Sequence, residues 1–161
     1  MSTVLRGAEF LSLSVWLGSV VFLSFAVAPG AFAALGSREQ AGMVVGMALA
    51  RLHWIGIVCG VVFLVAHALG AKSLPALTDL AALAVVLMLL LTLVSQFAVT
   101  PRIAGLRVEM KSQFGSVDAT PPGNDLRVQF NRFHRYSVWL ESGVLLAGVL
   151  ALVLLVRSRP Q

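Results

Sequence analysis

One cysteine, Cys59, in a chain of 161 residues leaves no partner for an internal disulfide and no Cys-x-x-Cys pair for a metal or redox centre. It lies inside an apolar run, where a thiol packs as a small hydrophobe. Charge is nearly as scarce: Asp, Glu, Lys and Arg make up 12% of the residues, against about 25% in ordinary globular domains. The net charge of +5 comes from basic residues that flank apolar runs and form no stripe interleaved with base-stacking aromatics, so nucleic acid is not an expected partner. No nucleophile elbow or loop-borne triad is visible, and the chain reads as non-enzymatic. Neither Cys-x-x-Cys-His nor a His-rich tract is present, so no resident cofactor is expected. The alternative is a haem or transition metal held by His53 and His134.

What the chain has instead is apolar sequence, 58% of its residues. The excess falls in four blocks centred on Val20, Val58, Leu87 and Leu146, each of about 20 residues, the length that crosses a hydrocarbon core of about 30 Å as a helix. Backbone in lipid must satisfy its own hydrogen bonds, and continuous Leu/Val runs lack the alternation of a barrel strand. The expected fold is therefore all-α: a single four-helix transmembrane domain over 1–161, with helices at about 6–34, 38–69, 78–112 and 125–156. The first run, with Arg6 before it and Ala31-Phe32-Ala33 after it, resembles a signal peptide, but its apolar stretch exceeds the usual length of about 7 to 15 residues, so it is expected to be a helix of the bundle.

Ser37-Arg38-Glu39-Gln40 reads as a capping box that starts helix 2 well before its membrane part. Pro121-Pro122-Gly123 breaks the chain, and Asn124 or Asp125 caps helix 4. Helix 3 is expected to kink at Pro101 and to continue towards Lys111. Helices 2 to 4 thus outgrow the bilayer on one side. The stretch from Gly115 to Gly123 is expected to be a disordered loop.

Two segments recur. Phe25-Ala26-Val27-Ala28-Pro29 closes the first apolar run and Phe97-Ala98-Val99-Thr100-Pro101 the third, while Arg51-Leu52-His53 opens the second and Arg132-Phe133-His134 the fourth. The pattern is that of two parallel helical-hairpin repeats. Aligned on the arginines, Gly60 matches Glu141. One side of the bundle carries Arg6, Lys72, Arg157 and Arg159, the other Arg38, Arg51, Arg102, Arg107, Lys111, Arg127, Arg132 and Arg135. The positive-inside rule puts the second set in the cytoplasm and the termini outside. Trp54, Tyr136 and Trp139 fall where an interfacial aromatic belt belongs.

Glu141 is the sharpest candidate, because a carboxylate among apolar residues must be neutralised, paired or wet. Asn131, His134, Ser137 and Glu141 form one stripe on helix 4. On helix 2, Gly42, Gly46, Gly56 and Gly60 share a face with His53 and His67, and glycines at such spacing admit a neighbouring helix. Glu9, Ser12, Trp16 and Ser19 line helix 1; Thr92, Ser95, Gln96 and Thr100 line helix 3. The expected site is one polar seam of His53, Gln96, His134 and Glu141, with Glu9, Arg51, Arg132, Asn131 and Ser137 as secondary candidates. Glu141 would titrate or pair with charge, His53 and His134 would form an entrance pair at equal depth, and Gln96 would orient the ligand. Such a seam suits a proton, an ion or a small cationic solute. The other readings are a cofactor-binding protein and a structural partner of a membrane complex, with the glycine face as its interface. A bundle this small also points to homo-oligomers.

Trp16-Leu17-Gly18, Phe25 to Pro29, Arg51-Leu52-His53-Trp54, Gln96 to Pro101 with Leu106-Arg107, and Phe130-x-x-Phe133-His134-x-x-Ser137 together resemble the transmembrane protein 205-like family. The resemblance implies a multi-pass bundle, here in a bacterial inner membrane. Through a vertebrate relative associated with platinum-drug resistance, it also implies handling of small cationic compounds. The layout is more faintly similar to copper-resistance membrane domains, whose denser metal-ligand pattern this chain lacks.

Overall fold

The computed structural model describes residues 3–71 and 79–157. Lys72 and Arg159 of the charge comparison, and Thr78 at the expected start of helix 3, lie outside them. Four long helices account for nearly all of the described chain: α1 (Thr3–Ala34), α2 (Arg38–Ala71), α3 (Leu80–Phe114) and α4 (Asp125–Arg157). All four are long and apolar enough to span a membrane. At 1.5 Å per residue α2 is about 51 Å long, well beyond a core of about 30 Å. The main pairings are α1 on α2 and α3 on α4, with α2 against α3 and α1 against α4 closing the ring. The core between them is built from Leu13, Trp16, Val20, Phe63, Val85, Met88 and Val144. Val58, Leu87, Leu90 and Leu146 remain exposed, as lipid-facing residues of a spanning bundle do.

Both prolines follow a locally wider helical turn. Each sits just after a π turn, Leu23–Val27 before Pro29 and Ser95–Val99 before Pro101, closed by Ala28 N–H to Leu23 O and Thr100 N–H to Ser95 O. Proline cannot donate, and its ring crowds the carbonyl four residues back; a turn with one extra residue relieves both problems. The two Phe-Ala-Val-x-Pro segments therefore share one local structure. In α3 the wider turn sets Ser95 into the interior, with no exposure, and Gln96 beside it.

The loop expected to be disordered is folded. Gly115 ends α3 at φ 82°, a backbone state that favours glycine. Val117 and Thr120 behind it are buried. Val117 joins Leu106 and Met110 in a second small core, packed by Leu126, Phe130 and Phe133. The loop is also tied to the start of α2. Ser37 Oγ accepts from Gln40 N–H, Asp118 Oδ2 accepts from Glu39 N–H at 3.2 Å, and Glu39 Oε2 accepts from Val117 N–H at 3.1 Å. Arg127 donates to the Val117 carbonyl. A Gly/Pro-rich composition marks a chain reversal, but three polar ties and a buried valine order it. Because Asp118 shares the capping of α2, Asp118→Ala should lower stability by about 0.5 to 2 kcal/mol, the usual worth of a helix cap, in thermal unfolding of the detergent-solubilised protein.

Candidate functional site

Helical phase on α2 turns His53 inward, and the imidazole has no exposure. Nδ1 lies 2.8 Å from Gln96 Oε1 on α3, and Nε2 lies 2.7 Å from Glu141 Oε1 on α4. Ser95 Oγ donates to the same Glu141 oxygen at 3.3 Å. Three helices thus meet through one ring. An amide oxygen only accepts, so Nδ1 must carry a hydrogen. The short contact to Glu141 then contains one further proton, resident either on Nε2, giving an imidazolium and carboxylate, or on the carboxyl, giving two neutral groups. That proton can pass between the two atoms without any rotation of the ring. With the Gln96 amide reversed, its NH2 would donate to Nδ1, and the pair would hold one proton fewer. The amide orientation is therefore coupled to the protonation of the pair.

Glu141 is the member that lines a cavity. Its side chain is 15% exposed where His53 has none, and it lines a cavity of about 400 Å³ bounded also by Ser24, Phe32, Arg107, His134 and Ser137. Most of the wall is aliphatic or aromatic, with polar groups few and placed, as is usual in small-ligand sites. Ser137, buried on α4, faces this space as its stripe predicts. His134 is exposed and stacks parallel to Phe130, 6.4 Å between centroids. No hydrogen bond joins it to His53. Seven residues separate His134 from Glu141, about 10 Å of helix rise, so His134 stands towards the cavity mouth and Glu141 deeper. Asn131, Arg51 and Arg132 are exposed and outside the triad.

The four polar stripes do not run together as one seam. Ser12 and Ser19 donate to their own helix at Glu9 O and Val15 O, the local bonding that competes with contacts between helices. Past the triad the bundle is closed by Trp16, Phe63, Met88 and Val144, none more than 1% exposed. Trp16 Nε1 is buried without a hydrogen-bond partner. Beyond this plug lies a separate polar cluster: His67 Nδ1 is 3.1 Å from Glu9 Oε1, and Nε2 is 2.7 Å from Asp79 Oδ2. Asp79 also caps α3, its Oδ1 accepting from Ala82 N–H. His53 and His67 are fourteen residues apart, about 21 Å along α2.

The glycine face of α2 divides in function. A Cβ at Gly56 would lie 2.4 Å from Trp16 Nε1, and one at Gly60 2.6 Å from Leu89 and 2.9 Å from Trp16, so these two admit close neighbours. Gly42 is covered by the Arg107 guanidinium, whereas Gly46 has nothing within 4 Å and borders the cavity. Two features were not foreseen: the place of Arg107, and the partners of Glu9, a secondary candidate. Arg107 lines the cavity above Glu141 and two spaces beside it, and its basic neighbours made it look like one more surface charge. The Glu9, His67 and Asp79 cluster is assembled from three helices, which no spacing within one helix reveals. Among the described residues no group of three or more His, Cys, Asp or Glu is arranged to hold a metal ion.

Residues 11–112 match the family described as a domain of unknown function, DUF4149. The chain belongs to this family. The match runs from α1 through α3, taking in His53 and Gln96 and ending before α4, so Glu141 and His134 lie outside it. No curated protein and no solved structure matches the chain.

Proposed function

We propose that this DUF4149 protein is a non-enzymatic membrane protein that binds a proton or a small cationic solute in the cavity above Glu141, exchanging a proton through the Glu141 and His53 pair. The observation that carries this reading is the triad itself: a fully buried histidine held on both nitrogens, with a carboxyl partner that alone reaches the cavity. An ionisable group inside a membrane bundle is costly unless it is paired, and such groups mark ion and proton paths. A cationic solute entering the cavity would take the Glu141 carboxylate as counter-ion while the pair gives up one proton to the cavity, the state in which the Gln96 amide is reversed and donates to Nδ1. The handling of cationic compounds implied by the transmembrane protein 205-like resemblance agrees with a carboxylate at the end of a mainly apolar pocket. The apolar plug at Trp16 and Phe63 favours binding, or alternating access, over an open channel. The basic residues at the cavity end support a cytoplasmic location for that side by the positive-inside rule.

Duplication belongs to the same reading, since both Phe-Ala-Val-x-Pro segments support a π turn and only the second hairpin supplies the carboxyl. Ligation of haem or a metal by His53 with His134 is less well supported, because both His53 ring nitrogens are engaged and the two rings have different neighbours. The test is flux into vesicles reconstituted with the wild type or with Glu141→Gln, which retains a hydrogen-bonding side chain but cannot ionise. Loss of proton-coupled or cation flux in the variant, with unchanged folding, is the expected result. Identical traces from both would remove Glu141 from the mechanism.

A further inference from the structure

Arg107 is out of keeping with its surroundings. It projects from α3 across the bare backbone of Gly42, with Nη2 only 2.8 Å from the position a Cβ would occupy there. Its Cζ lies over the Phe130 ring, 5.6 Å from the centroid. Nε is buried without a partner, and the guanidinium makes no hydrogen bond to any described residue. Two acids share its small polar recess with the basic Arg38 and Arg127; Glu39 acts on it through charge alone and accepts from Val117 N–H, and Asp118 accepts from Glu39 N–H. A guanidinium has five donors in a fixed fork suited to phosphate or carboxylate oxygens, so one left without an acceptor is a ready anion site.

A groove leads away from this cation. It lies between α2 and α3, holds about 550 Å³, and is walled by Met43, Val44, Met47, Ala50, Ile103 and Ala104, with Arg107 at one end. Met43, Val44 and Met47 are exposed, so the groove opens sideways, as access from lipid requires. It is distinct from the cavity above Glu141, and Arg107 stands in the wall between the two.

Depth fits the same occupant. The Glu9, His67 and Asp79 cluster marks one boundary of the apolar zone. A core of about 30 Å is about 20 residues of helix, which puts the other boundary near Met47 on α2 and Val99 on α3. Gly42, under the guanidinium, is then about 7 Å further out, at headgroup level. The apolar groove descends from there towards the hydrocarbon.

We infer that the groove between α2 and α3 binds one anionic phospholipid, its phosphate on the Arg107 guanidinium and its glycerol and first acyl carbons along the Met43 and Met47 wall, from which the chain passes Ala50 into the hydrocarbon. Basic pockets between membrane helices recognise anionic headgroups in this way. With the phosphate in place, the positive charge beside the mouth of the neighbouring cavity is neutralised, which favours entry of a cation.

The test uses the full chain, delipidated in detergent and offered mixed micelles of phosphatidylglycerol or phosphatidylcholine, with bound lipid counted by native mass spectrometry. One phosphatidylglycerol per chain is expected, retained at least about fivefold more strongly than phosphatidylcholine, the worth of one basic residue near a membrane surface. Arg107→Gln should abolish that preference, and Arg107→Lys should keep part of it. Ala104→Phe, on an exposed helix face, fills the groove without touching the cation and should also expel the lipid. Equal retention of both lipids by the wild type, or an undiminished preference in Arg107→Gln, overturns the inference. So does full competition by inorganic phosphate with Ala104→Phe indifferent, since the site would then hold a free anion and no acyl chain.

Discussion

His53→Ala is expected to destabilise the bundle by about 2 to 4 kcal/mol, measured by unfolding in mixed detergent. A single hydrogen bond between membrane helices averages only about 0.6 kcal/mol and reaches about 1.7, because the separated helices find other partners in the membrane. His53 exceeds that average for three reasons. It makes two such bonds, at 2.8 and 2.7 Å. One of them joins the Glu141 carboxyl, to which Ser95 Oγ also donates. Truncation also leaves a void where a fully buried ring stood, with the Gln96 amide and the Glu141 carboxyl facing it. His53→Gln, which can bond only part of this set, should fall between alanine and wild type. A loss below about 0.5 kcal/mol for His53→Ala would mean that Gln96 and Glu141 re-pair directly, and that the imidazole does not join the helices.

The second large effect is at Gly56. Gly56→Leu should cost about 3 kcal/mol or more, the upper end of overpacking penalties, since even its Cβ would fall 2.4 Å from the Trp16 indole nitrogen. Trp16 is 1% exposed and rigid, so it cannot swing aside as a flexible chain end would. Gly46→Ala, on the same stripe, should be neutral or stabilising by up to about 1 kcal/mol, because nothing lies within 4 Å of its Cβ and alanine is the better helix former. The mechanism is separable by background: with Trp16→Ala already present, the added cost of Gly56→Leu should fall by more than half. An unchanged cost in that background would assign the effect to a neighbour other than the indole.

These two positions also indicate what could be foreseen. Glu141, His53 and Gln96 stood out because an ionisable or amide side chain in an apolar helix needs a partner, a matter of composition and phase. Their convergence on one ring depends on how α2, α3 and α4 are rotated against one another, which nothing within a single helix encodes. His134 shares its Arg-x-His spacing with His53 yet stacks on Phe130 at the cavity mouth, since the same local motif meets different neighbours in each hairpin. The glycine stripe was legible as a face for close approach, but which glycines are approached depends on where Trp16, Leu89 and Arg107 arrive from other helices. Arg107 resembled the other basic residues along the chain, and only its burial without an acceptor sets it apart.

By itself the sequence determined the medium and the elements. Unbroken apolar runs require helices in lipid, prolines and caps mark where those helices widen and begin, and a few polar residues among leucines must find one another. The tertiary structure decided how those polar residues are shared out. It gathered His53, Gln96 and Glu141 into one triad, sent Glu9, His67 and Asp79 to the other end, and closed the space between them with Trp16 and Phe63. The physical reason is that buried polar groups must be satisfied at contact distance, whereas sequence spacing fixes only which face of a helix a side chain leaves from.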